Sequence, residues 1–175
     1  PLTVKIRLGW CENTSDPISF ALGLQEAGAQ LITVHGRTRK QGFSGSANWD
    51  AIAKIKKSLD IPVIANGDIK NTRDAIKCLE ITNADGVMIG RASMGAPWLV
   101  GQIDEEINNQ KTFKTPDSKM KVSLSLEHLK LLVSKKGSHG LLIARKHMNW
   151  TCRGFQGASE LRHKLVRAST PNDAI

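Results

Sequence analysis

Short apolar runs alternate with amphipathic stretches through the first half of the chain. The runs are Val4–Leu8, Leu31–His35, Pro62–Ala65 and Gly86–Ile89. They are rich in β-branched residues and almost continuously apolar, which is typical of strands buried on both faces of a sheet. Their alternation with helical stretches predicts an α/β fold whose parallel strands are joined by right-handed crossovers.

Helix signals lie between these runs. Asp16 and Pro17 are typical of an N-cap and of the first helical position that follows it. Thr72 is a candidate N-cap for the last of the three helices. The middle helix carries one apolar face, formed by Ile52, Ile55 and Leu59.

Past Gly90 the pattern changes and predicts no further strand. Residues 108–118 are polar, contain a proline and lack a period, which indicates a linker. Three helices are predicted beyond it, over Met120–Lys135, Leu141–Trp150 and Ser159–Val166. We therefore predict an α/β domain over residues 1–107, a linker over 108–118, and a small all-α domain over 119–175 that is incomplete at its end.

The two predicted domains differ in net charge. The chain of 175 residues has a formal net charge of +9, and residues 119–167 alone hold eleven Lys and Arg against two Glu. The rest of the chain is therefore neutral. This asymmetry suggests a polyanionic partner for the helical part and a neutral catalytic scaffold before it. The alternative is a basic helix face that is merely solvated.

Composition narrows the class of protein. Hydrophobic residues make up 40% and charged residues 23%, as in soluble globular proteins. The chain has no run of about eighteen apolar residues and no signal-peptide pattern. Three scattered cysteines without metal-ligand spacing predict no metal site and a reducing, cytoplasmic compartment. Because the chain opens inside its first predicted strand, we interpret it as a piece of a longer protein.

Polar side chains accompany the four predicted strands. Lys5 lies in the first, His35 ends the second, Asn66 follows the third and Arg91 follows the fourth. Because ligands of parallel α/β proteins bind at the carboxyl ends of the strands, we expect these side chains to meet at one rim. Simpler interpretations also exist. Lys5 is compatible with an exposed edge strand, His35 with a hydrogen-bonded structural histidine, and Asn66 with an ordinary Asn-Gly-Asp turn.

The rim has the chemistry that flavin mononucleotide (FMN) requires. Gly67 and Gly90 allow the backbone to approach a ligand closely, and Arg91 offers paired donors to a phosphate. Lys5 is too costly to bury unpaired, so we expect it at the mouth of a barrel, near the isoalloxazine ring.

Five segments resemble a known family. VKIRLGW, ITVHGRTRKQGFSGSANW, IPVIANGDI and DGVMIGRASMGAPW are similar to motifs of bacterial tRNA-dihydrouridine synthases, with the B-type branch the most similar. IARKHMNWTCRGFQGASELR is similar to that family's helical domain. The resemblance runs from Leu2 to about Leu165. It implies that residues 1–107 are the second half of a (β/α)8 TIM barrel, with four of its parallel strands, followed by the helical domain.

The resemblance also implies roles for particular residues. The expected FMN contacts are Lys5, His35, Asn66, Gly67, Asp68, Gly90 and Arg91. Arg37 and Arg39 are expected to face RNA. In the helical domain, Arg145, Lys146 and Arg153 are candidates to neutralise tRNA phosphates.

The implied activity is reduction of the uridine C5–C6 double bond in tRNA. In the family, NADPH reduces the flavin, the flavin delivers hydride to C6, and a cysteine protonates C5. The base must be turned out of the RNA to reach the barrel mouth. The family's cysteine sits on an earlier strand and has no match here, and Cys11 fits no family motif, so we assign no catalytic residue to this chain. No obligate protein partner is implied.

Two alternatives stay open. Another FMN-dependent TIM-barrel oxidoreductase would share the phosphate site but would not predict the basic tail. A noncatalytic tRNA-binding fragment is the other, because half a barrel leaves strand edges and apolar surface uncovered. We therefore expect the isolated chain to bind flavin weakly or not at all.

Overall fold

A computed structural model describes residues 1–12, 15–109 and 111–174. Within these ranges the strands are β1 (Thr3–Arg7), β2 (Leu31–His35), β3 (Val63–Asn66) and β4 (Gly86–Met88). The α-helices are α1 (Pro17–Glu26), α2 (Trp49–Ser58), α3 (Thr72–Thr82), α4 (Leu99–Asn108), α5 (Ser118–Lys136), α6 (Ser138–Thr151) and α7 (Ala158–Arg167). Short 3-10 helices cover Arg91–Ser93 and Asn172–Ala174. None of the helices described has the length and apolarity needed to cross a bilayer.

The four strands form one sheet in chain order, and every neighbouring pair is parallel. Strands in this order with helical connections are the arrangement of half a (β/α)8 barrel, whereas doubly wound sheets contain a point where the order reverses. The predicted parallel α/β architecture is confirmed. β3 starts one residue later than predicted, at Val63, because Pro62 has no N–H to offer the ladder.

The two faces of the sheet differ in chemistry, because side chains alternate along a strand. One face is apolar and buried, and it consists of Ile6, Ile32, Val34, Val63 and Ala65. The helices α1, α2 and α3 pack side by side, with α2 and α3 against β3. The opposite face carries most of the polar strand residues: Lys5, Arg7, Thr33, His35 and Asn66.

Side-chain caps begin several helices. The Asp16 carboxylate accepts hydrogen bonds from the N–H groups of Ile18 and Ser19, both at 3.1 Å, so the predicted cap of α1 is confirmed. Thr72 is not the cap of α3. Asn71 takes that position, and its Oδ1 accepts from the Asp74 N–H at 2.9 Å, because asparagine caps at least as well as threonine.

The chain divides into two compact units. The first joins Pro1–Ala92 to Val100–Lys111, and the second joins Ser93–Leu99 to the chain from Thr112 onwards. The second unit has a core of its own, which includes Leu129, Leu141, Ala144, Met148, Cys152 and Leu165. Residues 93–99 belong with this helical unit, a grouping that the hydrophobic pattern does not indicate.

Within the helical unit, α5 and α6 approach closely at Gly140. A Cβ on Gly140 would lie 2.3 Å from the Leu132 carbonyl oxygen. Real Cβ atoms do not approach an oxygen so closely, so this position requires glycine. The close packing of α5 against α6 therefore requires a residue without a side chain at position 140.

Gly140→Ala is expected to destabilise the helical unit, because the new methyl group would collide with the Leu132 carbonyl. Overpacking of this kind costs about 1–3 kcal/mol. Gly23→Ala in α1 is the matched control, since its Cβ would meet nothing within 4 Å and alanine should stabilise that helix by about 0.5–1 kcal/mol. Thermal unfolding of both variants tests this, and a Gly140→Ala protein as stable as the wild type would contradict the packing.

Candidate functional site

The carboxyl ends of three strands bring polar side chains into one row. Arg7 pairs in register with His35, and His35 pairs with Asn66. Paired residues of parallel strands project from the same face of the sheet, so these three side chains stand side by side. Lys5 lies on the same face two residues earlier in β1, opposite Thr33. The register therefore places the cationic and amide side chains of three strands together.

The loop of residues 36–48, between β2 and α2, is fastened to β1 and to the residues after it. The Arg39 N–H donates to the Gly9 carbonyl at 2.8 Å. Arg7 donates through Nη1 to the carbonyls of Thr38 and Gly42, at 3.0 and 3.1 Å. Arg7 of β1 thus holds the loop through two of its carbonyl groups.

Arg37 is buried inside this loop, with 1% of the residue exposed. Its Nε donates to the Ser44 carbonyl at 3.2 Å, and its Nη2 to the Gly45 carbonyl at 2.6 Å. The same Nη2 forms an ion pair with Asp68 Oδ2 at 2.7 Å. These contacts give Arg37 a structural role, because its guanidinium closes the loop and ties it to the turn after β3, and its expected contact with RNA stays a prediction.

Asp68 holds three protein groups together. Its Oδ2 accepts from Arg37 and from the Ala47 N–H, each at 2.7 Å, and its Oδ1 lies 3.3 Å from Arg91 Nη2. Partial burial raises the pKa of Asp68, but the hydrogen bonds from Arg37 and Ala47 and the two arginine charges outweigh it, so the pKa lies below its ordinary value. The role that these contacts give Asp68 is structural, and its predicted contact with FMN stays a prediction.

The turn of Asn66 and Gly67 is shaped by packing. Asn66 Nδ2 donates to the Met88 carbonyl at 2.7 Å and links β3 to β4. Gly67 has a φ of 127°, and a Cβ there would lie 2.7 Å from the Ala47 Cβ and 3.1 Å from the His35 ring. The fold itself therefore requires glycine at this position, whereas the sequence suggested that Gly67 makes room for a ligand.

Arg91 is an exposed cation at this end of the sheet. It follows Gly90, where a Cβ would meet nothing within 4 Å. Its guanidinium lies 4.5 Å from the centroid of the Phe43 ring, and its side chain is 51% exposed. A guanidinium has five donors, and the 3.3 Å approach to Asp68 leaves some of them for a further anion.

Two residues that the sequence did not assign complete the site: Arg7 and Phe43. The Phe43 ring is exposed and meets both arginines, with Arg7 at 5.8 Å and Arg91 at 4.5 Å from its centroid. The His35 ring lies 6.5 Å away. The spacing of Arg7 from Lys5 was the available signal, because residues two apart in a strand share a face. No pattern singles out Phe43, since its position depends on how the loop folds.

Positive charge accumulates around His35. Burial lowers the pKa of His35 to about 4, and the charges of Arg7 and Lys5 add to the effect of burial. Burial, and then the charge of Arg7, also lower the pKa of Lys5. His35 is therefore neutral at pH 7, while Arg7, Lys5 and Arg37 supply the cations around it. A face of this kind is complementary to an anion.

The candidate RNA-binding residues differ in exposure. Arg39, Lys146 and Arg153 are exposed. Arg145 is half-buried and donates to the carbonyl of Ala168, the C-cap residue of α7. This bond occupies Arg145 within the helical unit, so its guanidinium is less available to a phosphate than the sequence suggested.

The three cysteines are free thiols, with Cys78 and Cys152 buried and Cys11 partly buried. Burial raises the pKa of the Cys78 thiol to about 11 and that of Cys152 above its ordinary value. We assign none of the three as a catalytic acid. Among the residues described, no group of His, Cys, Asp and Glu side chains could hold a metal ion.

Asp68→Asn is expected to cost about 3 kcal/mol or more of unfolding free energy at pH 7, because it removes the counter-charge of a buried guanidinium. Asp85→Asn is the matched control, since it breaks a more exposed ion pair with Lys56 and should cost about 1 kcal/mol or less. Because folding lowers the pKa of Asp68, its contribution is present above the ordinary value of 3.8 and is lost as pH falls through the folded value. Chemical denaturation distinguishes the variants, and equally small losses would contradict the role of the pair.

His35 is expected to titrate near pH 4 in the protein without a bound ligand, well below its ordinary value of 6.5. A base whose pKa falls on folding binds fewer protons when folded, so its contribution to stability is lost as pH falls from about 6.5 towards 4. An NMR titration of the His35 ring carbons measures the midpoint. A midpoint at or above 6.5 would show that the ring is not held among cations.

The family model for dihydrouridine synthases (Dus) matches residues 1–174. A probable tRNA-dihydrouridine synthase 1 of Synechocystis sp. is 49% identical over 170 residues, which are 97% of this chain and 48% of that protein. A probable tRNA-dihydrouridine synthase of Rickettsia bellii is 43% identical over 98% of this chain and 53% of that protein. The tRNA-dihydrouridine synthase B of Xanthomonas axonopodis pv. citri is 39% identical, over 98% of this chain and 52% of its own length.

The chain spans about half the length of the curated relatives it matches. Among solved structures, a mandelate oxidase mutant with (S)-mandelic acid aligns to 96% of the chain at a TM-score of 0.37 and 13% identity, too distant a likeness to carry an argument. The family model, by contrast, covers almost every residue. This chain belongs to the dihydrouridine synthase family.

Proposed function

We propose that the protein containing this chain reduces uridine to 5,6-dihydrouridine in tRNA, with FMN as cofactor and NADPH as reductant. One observation carries the proposal: Lys5, Arg7, His35 and Arg91 share a cationic site at the carboxyl ends of parallel strands. The family match supports flavin-dependent uridine reduction as the chemistry of this site. The names of the relatives specify tRNA and dihydrouridine, and tRNA as the substrate of this protein is part of the proposal.

The site fits FMN in charge and in space. We assign the phosphate to Arg91 and to the Gly90 backbone, because Arg91 has exposed donors and no atom stands within 4 Å of a Cβ built at Gly90. We assign the ring system to Lys5, His35 and Asn66, which lie on the open face of the sheet. An anionic cofactor would offset the charge that accumulates there.

Each side chain has its own task in this proposal. Bound FMN would supply the hydride that uridine accepts. Lys5 contributes a positive charge, which stabilises negative charge that develops during reduction. His35 is neutral at pH 7 and forms hydrogen bonds without adding to the positive charge. Arg7 and Arg37 hold the loop of residues 36–48, and the general acid is assigned to no residue of this chain.

The exposed cations of the helical unit are proposed to hold tRNA. Lys146 and Arg153 are exposed, and residues 119–167 carry eleven Lys and Arg against two Glu. Arg39, exposed on the loop after β2, is a further candidate. Phosphate contacts of this kind position RNA without reading its sequence, and they weaken as salt rises.

The reaction is tested with the complete protein, purified with FMN and supplied with NADPH and an unmodified tRNA transcript. We expect dihydrouridine in the RNA by mass spectrometry. Arg91→Ala is expected to weaken FMN binding about 10- to 100-fold, because charge-assisted hydrogen bonds contribute about 1.5–3 kcal/mol. Arg73→Ala, which removes an exposed arginine from α3, is the matched control and should bind FMN as the wild type does.

Two results would count against the proposal in different ways. Equal FMN affinity of the Arg91→Ala, Arg73→Ala and wild-type proteins would contradict the phosphate assignment. A flavin-loaded protein that binds NADPH but forms no dihydrouridine in tRNA would contradict the reaction itself.

A further inference from the structure

The helical unit contains a cavity of about 280 Å³ that no step above uses. Its walls come from α5, α6 and the segment of residues 93–97. Leu124 and Leu131 of α5 give it an apolar wall, and Gly95 and Pro97 line it as well. Pockets for drug-sized ligands measure roughly 300–1,000 Å³. This cavity therefore suits a single ring system and not a whole dinucleotide.

Aromatic rings form a row along the cavity. The imidazoles of His128 and His147, which both line it, have centroids 4.8 Å apart. The Trp150 ring continues the row, 5.4 Å from His147 and edge-on to it. Proteins hold unpaired bases on His and Trp rings because every base has a flat π-face. The planes of the two imidazoles meet at 53° and the indole stands at 82° to His147, so one ring can stack on the face of a base while a neighbouring ring contacts its edge.

One polar atom in the wall lacks a partner. Ser125 lines the cavity and is 4% exposed, and its Oγ makes no hydrogen bond. Burial raises the pKa of the nearby Cys152 thiol and Ser125 lowers it in part, but sulfur is only a weak hydrogen-bond partner for a hydroxyl. A buried hydroxyl without a partner is unfavourable. The polar edge of a bound ring would satisfy it.

Cations lie beside the cavity on both helices. Lys121 is one turn before Leu124 on α5, and its ammonium is 5.8 Å from the Trp98 ring centroid. Lys146 precedes His147 on α6, and its ammonium is 5.1 Å from the Trp150 ring centroid. Phosphates on either side of an inserted base would meet these charges. Glu127 also lines the cavity, but the two lysines outnumber it, and the surroundings thus favour a base that belongs to RNA over a free neutral ring.

We propose that this cavity holds one unpaired base of the bound RNA, in contact with the His128 and His147 rings and hydrogen-bonded to Ser125. The inference rests on the proposed binding of tRNA and adds a second base-binding site, in the helical unit, to the site of reduction. Phosphate contacts alone would not need a cavity, a row of rings or a buried hydroxyl.

The test measures RNA affinity of the complete protein by fluorescence anisotropy, with two probes. One is a single-stranded oligouridine, and the other has the same phosphates but abasic riboses. Ser125→Ala removes the hydroxyl without adding bulk, and Ser125→Val removes it while adding one carbon atom and a β-branch. Ser123→Val is the matched control, because Ser123 is exposed on the same helix.

We expect Ser125→Val and Ser125→Ala to bind the oligouridine about 3- to 10-fold more weakly, the equivalent of one lost hydrogen bond. Their affinity for the abasic probe should not change, and their unfolding temperature should stay equal or rise because the hydroxyl lacks a partner. The NMR signals of the His128 and His147 rings should shift with oligouridine and not with the abasic probe.

Three outcomes would overturn the inference. The first is unchanged affinity of both Ser125 variants for oligouridine, and the second is an equal loss for both probes. The third is a lower unfolding temperature of both variants, with RNA affinity falling only in proportion to the unfolded fraction, since this would mark Ser125 as structural. If the protein still reduces tRNA in any of these cases, the proposed function stands and only the second base site is rejected. If the wild-type protein binds no tRNA, both the proposed function and the second base site are rejected.

Discussion

The pairing of Arg37 with Asp68 is the interaction on which the rest of the site depends. A guanidinium that is 1% exposed is costly to bury unless its charge and donors are matched. Asp68 Oδ2 at 2.7 Å provides the charge, and two loop carbonyls accept hydrogen bonds from Nε and Nη2, while Nη1 has no partner among the residues described. Because Arg37 lies after β2 and Asp68 after β3, one ion pair fixes two neighbouring strand ends to each other. The same loop carries Phe43, over which the Arg91 guanidinium lies.

The parallel register of the strands places the polar side chains of the site next to one another. Alternation along the strands assigns the apolar residues to the face packed with helices and Lys5, Arg7 and His35 to the other. Register then aligns the last residues of β1, β2 and β3 in one row. Burial, and after it the charges of the resulting cations, lower the pKa of His35 to about 4. The proposed affinity for an anionic cofactor thus follows from how the sheet folds, which concentrates like charges at one end of the sheet.

Local signals predicted most of the elements, and long-range packing explains most of what they missed. Asp16 and Pro17 mark the start of α1 because capping involves only neighbouring residues. Apolar runs located the strands within about a residue. The sequence could not show that Arg37 turns inward, since that depends on Asp68, which lies in a different turn. It could not show that Gly67 is required by Ala47 and His35, or that Arg145 bonds the end of α7. Side-chain type predicts chemistry, whereas exposure depends on the completed fold.

If Asp68 acts on the flavin site through Arg37 and not by touching the flavin, the two residues must be coupled in flavin binding. A double-mutant cycle of FMN affinity in the complete protein, with Arg37→Met, Asp68→Asn and the double variant, measures that coupling. We predict that each single substitution weakens binding and that the second adds little, because either one releases the loop of residues 36–48. Additive losses, with Asp68→Asn keeping its full effect in the Arg37→Met protein, would contradict this and point to direct contact between Asp68 and FMN.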